Sequence, residues 1–142
     1  ETVSRLGSFR FPNGVQYSGD WATGKMHGNG QWKFLGLVYH GEFKDNIKHG
    51  VGKMIYLSGN KYSGEWANDV PHGKGKLFYP TNDKYQGEFQ NGVKSGKGIM
   101  RFSNGNTYEG LWKENKPDGK GILKSNDGSL YKGYFQNGRF QG

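Results

Sequence analysis

The string Y-x-G-x-[WF] occurs six times, at Tyr17, Tyr39, Tyr62, Tyr85, Tyr108 and Tyr131, with spacings of 22, 23, 23, 23 and 23 residues. Recurrence on such a period restricts the chain to a repeat architecture in which each supersecondary unit is stacked on the next. Five copies are followed at a fixed distance by a G-x-G pair: Gly28 and Gly30, Gly50 and Gly52, Gly73 and Gly75, Gly96 and Gly98, Gly119 and Gly121; of the sixth pair only Gly142 is present. Two residues further stands a large apolar side chain (Trp32, Met54, Leu77, Met100, Leu123), and two beyond that an aromatic (Phe34, Tyr56, Tyr79, Phe102), with Ser125 as the exception. Every spacing is even, and a period of two marks one face of a β-strand.

Each unit therefore reads as two strands. Between them lies a turn centred on Gly24, Asn46, Asp69, Gly92, Asn115 or Gly138, residue types that tolerate positive φ. Further turn signals separate the units: Pro12-Asn13-Gly14, Ser58-Gly59-Asn60, Asn104-Gly105 and Asn126-Asp127-Gly128. The predicted fold class is all-β, an antiparallel meander of about a dozen short strands without helix. It divides into a partial repeat over 1–16, repeats over 17–38, 39–61, 62–84, 85–107 and 108–130, and a truncated one over 131–142. The segment Ser8 to Phe11 reads as the last strand of the first, partial unit. The 26 glycines are thus positional; with 4 prolines and no Gly-X-Y period, collagen is excluded. Rings number 4 Trp, 9 Tyr and 9 Phe, too many for a disordered tail.

A register follows if the ring of Y-x-G-x-[WF] aligns with the first glycine of G-x-G. Trp66 then faces Gly73, Gly64 faces Gly75, and Tyr62 faces Leu77. The hairpin between units is expected to align Tyr79 with Tyr85, Leu77 with Gly87, and Gly75 with Phe89, so that rings fold over bare backbone. On the other face the same register sets Glu65 beside Lys74 and Lys53, Glu88 beside Lys97 and Lys76, Leu111 beside Ile99, and Tyr134 beside Ile122.

The unit beginning at Tyr17, YSGDWATGKMHGNG, resembles the MORN (membrane occupation and recognition nexus) repeat, whose pattern is similar to Y-x-G-x-W-x-x-G-x-x-H-G-x-G. The resemblance covers residues 17 to 142 in six copies. It departs at the histidine, kept as His27, His49 and His72 but replaced by Ser95, Asp118 and Gln141, and in the first unit, which is one residue short near Gly36. The resemblance implies an elongated, twisted single-layer sheet that acts as a non-catalytic scaffold. It also implies binding of partner peptides or helices in the sheet's groove, binding of acidic phospholipids such as phosphoinositides, and an occurrence in ciliary, cytoskeletal and membrane-associated settings.

Side chains that invite a chemical site fail on spacing. His27, His49 and His72 stand two strands apart, about 10 Å at a strand spacing of about 4.8 Å, whereas zinc needs ligands about 2 Å away; no metal or cofactor is expected. Gly19 to Lys25 satisfies G-x-x-x-x-G-K, but Met26 replaces the Ser or Thr and no helix follows. Everything conspicuous is periodic, and a catalytic site is singular, so no enzyme activity is expected.

The aromatic face is the candidate partner groove: Tyr17, Trp21, Trp32, Tyr39, Phe43, Met54, Tyr62, Trp66, Leu77, Tyr85, Phe89, Met100, Tyr108 and Trp112, with Trp32, Met54 and Met100 as exposed edges for a peptide or amphipathic helix. The net charge of +8 permits an anionic partner. Lys25, Lys48, Lys94, Lys116 and Arg139 are the candidate lipid contacts, read as one row of turn cations with Pro71 interrupting it. Ile99, Leu111, Ile122 and Tyr134 form a candidate second contact on the opposite face. Nucleic acid is not expected, since acid and base alternate without accessible rings among them. Unpaired strand edges at the partial units are expected to allow end-to-end self-association. The absence of cysteine is compatible with a reducing compartment, and the chain reads as intracellular and cytoplasmic, at the cytoskeleton or a membrane surface.

Overall fold

The computed structural model describes residues 3–142, with side chains described from residue 7 onward. The described residues form thirteen strands and no helix. Two compact units divide the chain at Val70 and Pro71. The first contains β1 (Val3–Arg10), β2 (Gln16–Ala22), β3 (Lys25–Phe34), β4 (Leu37–Lys44), β5 (Ile47–Ile55) and β6 (Lys61–Ala67). The second contains β7 (Val70–Phe78), whose first residue closes the first unit, then β8 (Lys84–Gln90), β9 (Val93–Arg101), β10 (Thr107–Lys113), β11 (Lys116–Lys124), β12 (Leu130–Gln136) and β13 (Arg139–Phe140). Within each unit every strand pairs antiparallel with the next in chain order, as the predicted meander requires. Strand β1 extends further toward the N-terminus than the sequence suggested.

Two kinds of turn alternate. Inside each repeat two successive residues take positive φ, for example Asn68 (51°) and Asp69 (70°), or Glu114 (49°) and Asn115 (71°), which is the two-residue type I′ hairpin. Between repeats the chain makes a longer turn: Gly105 N–H donates to the Phe102 carbonyl, and Phe102 N–H to the Asn106 carbonyl, with Gly105 at φ 94°. The short first repeat replaces that turn with a two-residue one, Leu35 (φ 47°) and Gly36 (φ 89°), flanked by the Phe34–Leu37 pair. One deleted residue changes the turn type and leaves the sheet intact.

The register differs from the expectation in both hairpins. Inside a repeat, Tyr17 pairs with Trp32 and Gly19 with Gly30 as expected, but a bulge follows and Trp21 pairs with Met26 rather than Gly28. The same shift sets Phe43 opposite Lys48 and Phe89 opposite Lys94. The first glycine of G-x-G is spent on this bulge, at φ 78° in Gly28 and 89° in Gly96. Between repeats the pairing is displaced by two residues: Leu77 meets Tyr85, Gly75 meets Gly87, and Gly73 meets Phe89. The longer turn absorbs the residues that a simple count assigns to the ladder.

The second glycine of G-x-G has a separate task. The Tyr17 ring lies over Gly30, and a Cβ there would overlap its Oη and Cε1; Tyr39 over Gly52, Tyr85 over Gly98 and Tyr108 over Gly121 repeat the arrangement. Each tyrosine hydroxyl turns back to its own strand and donates to the carbonyl three residues on: Asp20, Glu42, Glu65, Glu88 and Leu111, at 2.6 to 2.9 Å. These tyrosines are the largest fully buried side chains among the described residues. Trp66 Nε1 donates to the Gly52 carbonyl at 2.9 Å and Trp112 Nε1 to that of Gly98 at 3.0 Å, each tying a repeat to the one before. A single layer thus builds its core from rings laid flat on bare backbone.

Candidate functional site

The inner aromatic row is a continuous edge-to-face ladder within each unit. In the first, Tyr17, Phe43, Tyr39, Trp66 and Tyr62 follow one another at centroid distances of 5.0 to 5.3 Å. In the second, Phe89, Tyr85, Trp112, Tyr108 and Phe135 do so at 4.8 to 5.3 Å. Each such pair contributes about 0.5–1.5 kcal/mol beyond its buried area. Most of the fourteen expected groove residues are therefore the core itself. Met54 and Met100, expected as exposed edges, are 6% and 7% exposed. What remains open is an outer row in each unit: in the first Trp32, Phe34 and Tyr56, all half-buried, and in the second Leu77 and Tyr79, half-buried, and Phe102, exposed.

Two cations seal the inner ladder. Lys48 and Lys94 are each only 7% exposed. Lys48 Nζ stands 3.6 Å from the Trp32 ring centroid, 5.6 Å from that of Tyr39 and 4.0 Å from Asp69 Oδ1. Lys94 Nζ donates to the Tyr79 hydroxyl and lies 5.2 to 5.8 Å over the rings of Tyr79, Tyr85 and Trp112. Burial pulls both ammonium groups below the usual lysine range, with Asp69 pulling Lys48 back up. Burial, reinforced by Asp20, pushes the Tyr17 hydroxyl up to about 12, and burial likewise raises Tyr39, Tyr62, Tyr85 and Tyr108.

The expected row of five turn cations is thus two rows on opposite faces. Lys25 pairs with Ala22, Lys116 with Lys113 and Arg139 with Gln136, one residue from the turn, and all three are exposed. Lys48 and Lys94 sit one residue further along their strands, opposite Phe43 and Phe89, and so point to the aromatic side. Counted from the tyrosine of each repeat, Lys25, Lys116 and Arg139 stand eight residues on and Lys48 and Lys94 nine.

On the other face, three carboxylates serve backbone amides. Glu88 Oε1 accepts the Lys97 backbone N–H at 2.9 Å, Glu42 Oε2 that of Val51 at 2.8 Å, and Asp20 Oδ2 that of Asn29 at 3.1 Å. Each satisfies the amide that follows the bulge glycine. Leu111 holds the same position in the next repeat, pairs with Lys97 rather than Ile99, and packs against Gly119. Ile99 stands between Gln86 and Glu109, Ile122 between Glu109 and Lys132, and Tyr134 opposite Lys120.

Sequence reasoning missed the coupling between repeats at the inner turns. The side chain of Asn46 accepts from Met26 N–H, that of Asp69 from Lys48 N–H, and that of Asn115 from Lys94 N–H, at 2.8 to 2.9 Å. Where the strand residue is Pro71 or Pro117, which has no N–H, the next turn carries Gly92 or Gly138. That covariation is printed in the sequence and predicts the contact. Among the described residues no three His, Asp or Glu side chains converge on a metal-sized site.

A family model for the MORN repeat matches residues 17–34, 39–61, 62–84, 85–107 and 108–130. The chain belongs to the MORN-repeat family. In MORN terms the conserved-looking letters of the unit divide as the geometry above divides them: tyrosine and second glycine for the core, first glycine for the bulge. No curated protein sequence matches the chain. Among solved structures it is similar to the TCP domain of SAS-4 (dCPAP), determined in complex with a proline-rich motif of Ana2 (dSTIL), of Drosophila melanogaster. The TM-score is 0.52 at 15% identity, over 92% of this chain and 84% of that one. At that identity the likeness is one of fold.

Proposed function

We propose that the protein is a non-catalytic interaction scaffold whose aromatic face binds a peptide or helix of a protein partner along the outer rings of a unit. The observation that carries this reading is the division of the rings into two classes. The inner ladder is consumed by the fold, whereas Trp32, Phe34, Tyr56, Tyr79 and Phe102 recur through the first four repeats and keep partly exposed edges. Lys94 Nζ, beside Tyr79, adds a donor at the border of that row. A row of rings with nearby donors suits an extended proline-containing segment or the apolar face of a helix. The structural neighbour bound to a proline-rich motif supports the first of these.

The test places a photo-crosslinking phenylalanine analogue at Tyr79 or Phe102, and in a control at Lys33 on the opposite face. The expected result is one crosslinked partner, joined through the same peptide from both outer-row positions and absent from the control. Equal labelling from Lys33, or none from the outer row, overturns the reading.

A further inference from the structure

The face opposite the rings has a pattern that the ring-face reading does not use. In the second unit, β9 presents Lys97, Ile99 and Arg101 to this side, and β11 presents Lys120, Ile122 and Lys124. Both strands read basic, apolar, basic. Cross-strand pairing joins them into ladders. The middle one runs Gln86, Ile99, Glu109, Ile122, Lys132, and a flanking one runs Lys84, Arg101, Thr107, Lys124, Leu130. The other flank carries Lys97 beside Leu111 and Lys120 beside Tyr134.

Two features set this surface apart from ordinary solvated sheet. The first is the loss of a hydrogen bond. Asp20, Glu42 and Glu88 each accept the bulge amide, but in the fifth repeat Leu111 stands at that position and is 38% exposed. An acceptor is given up for a partly exposed apolar side chain, the kind of local conflict expected at a functional surface. The second is charge. Glu109 is the one carboxylate in these two ladders, which also carry Lys84, Arg101, Lys124 and Lys132, and Lys97 and Lys120 stand on the other flank. In the first unit the matching strands read Asn29, Gln31, Lys33 and Val51, Lys53, Ile55, so the pattern is confined to the second.

We infer that this face of the second unit docks an acidic amphipathic helix of a protein partner, its apolar stripe on Ile99 and Ile122 and its flanking carboxylates against the two basic rows. The repeat advances two strands, about 9.5 Å at a strand spacing of about 4.8 Å, and a helix advances about 10.5 Å per heptad at 1.5 Å per residue. One heptad laid across the strands thus meets one basic, apolar, basic triplet. Along each strand the triplet places its cations about 6.7 Å to either side of the isoleucine, at about 3.3 Å per residue, within reach of glutamates flanking an apolar stripe. A single-stranded nucleic acid would instead stack its bases on ring platforms, and here the central residues are aliphatic.

The test uses a synthetic three-heptad helix with leucine in the stripe and glutamate on both flanks, titrated by fluorescence anisotropy. Controls are a peptide with lysine flanks, oligo-dT, and phosphatidylserine vesicles. The expected result is micromolar binding of the acidic helix, weakened at least tenfold by Lys97→Glu with Lys120→Glu and equally by the charge-neutral Ile99→Gln with Ile122→Gln. Lys33→Glu with Lys53→Glu should leave it unchanged. All these side chains are partly or fully exposed, and unchanged tryptophan fluorescence confirms that each variant is folded. No binding of the helix, binding indifferent to the isoleucine changes, or tighter binding of oligo-dT or vesicles overturns the inference. None of these outcomes bears on the ring face.

Discussion

Asn115 and Lys94 exchange two hydrogen bonds: the Lys94 N–H donates to Asn115 Oδ1 at 2.8 Å, and the Asn115 N–H donates to the Lys94 carbonyl at 3.1 Å. A turn of one repeat is thereby clasped to a strand of the repeat before it. Replacing Asn115 by glycine keeps the φ of 71° accessible but deletes the acceptor, and is expected to cost about 1 kcal/mol. The reverse change, Gly138→Asn, faces Pro117, which has no N–H to offer, and is expected to stay within about 0.5 kcal/mol of the parent. Urea unfolding of both variants checks the pair. Equal effects at the two sites would mean that turn conformation, not the clasp, sets the residue.

Glycines of one unit differ in what an added methyl would meet. At Gly52 a Cβ would stand 2.5 and 2.6 Å from Cζ and Cε1 of Tyr39, a buried ring that has nowhere to move. Gly52→Ala is expected to cost at least about 3 kcal/mol, at the upper end for overpacking. At Gly24 no atom lies within 4 Å and only the φ of 78° resists, so Gly24→Ala is expected to cost about 1 kcal/mol. Denaturant midpoints rank the two, and a larger loss at Gly24 would contradict the role given to the tyrosine.

The meander and the Tyr-to-apolar pairing inside each repeat were legible because they follow from period and parity alone, as Tyr17 with Trp32 and Gly19 with Gly30 illustrate. What parity cannot register is a residue that leaves the ladder. The bulge at Gly28 and the longer turn ending at Gly105 each remove residues from the count, which moved Trp21 onto Met26 and the pairing between repeats by two. Burial was misjudged for a related reason. Lysine at Lys48 and Lys94 reads as solvated turn until the register sets each one across from a ring, where a long apolar stem covers what a single layer otherwise leaves wet. The acidic positions misled in the same way, since Glu88 serves a backbone amide rather than a lysine ammonium.

That placement changes what charge reversal does. Lys94→Glu sets an anion against the negative faces of Tyr85 and Trp112 and is expected to lower stability by at least about 2 kcal/mol. Lys116→Glu, exposed and one residue from its turn, is expected to change it by less than about 0.5 kcal/mol. Thermal or urea unfolding separates them. Any loss of lipid or partner binding in a Lys48 or Lys94 reversal has to be read against this loss of fold.

Alkaline pH tests the tyrosine core directly. Burial raises the ladder tyrosines above the unfolded value of about 10, Tyr17 to about 12. Between those values the folded chain holds a proton that the unfolded chain has lost, so stability is full below about pH 10 and falls as pH rises through the window. Lys48 and Lys94, lowered by burial, act in the opposite sense: the folded chain releases their protons first, and stability is gained as pH rises from their folded values toward the ordinary lysine range. Seven raised tyrosines, the five of the ladder with Tyr56 and Tyr79, outweigh two lysines, so net loss is expected above about pH 10. Near-ultraviolet phenolate absorbance followed beside far-ultraviolet circular dichroism reads it. The ladder phenolates should form together with loss of the sheet, and Tyr85→Phe should make the fall of stability with pH shallower. Complete tyrosine ionisation with the sheet intact would show that the rings are open to solvent and do not form the core.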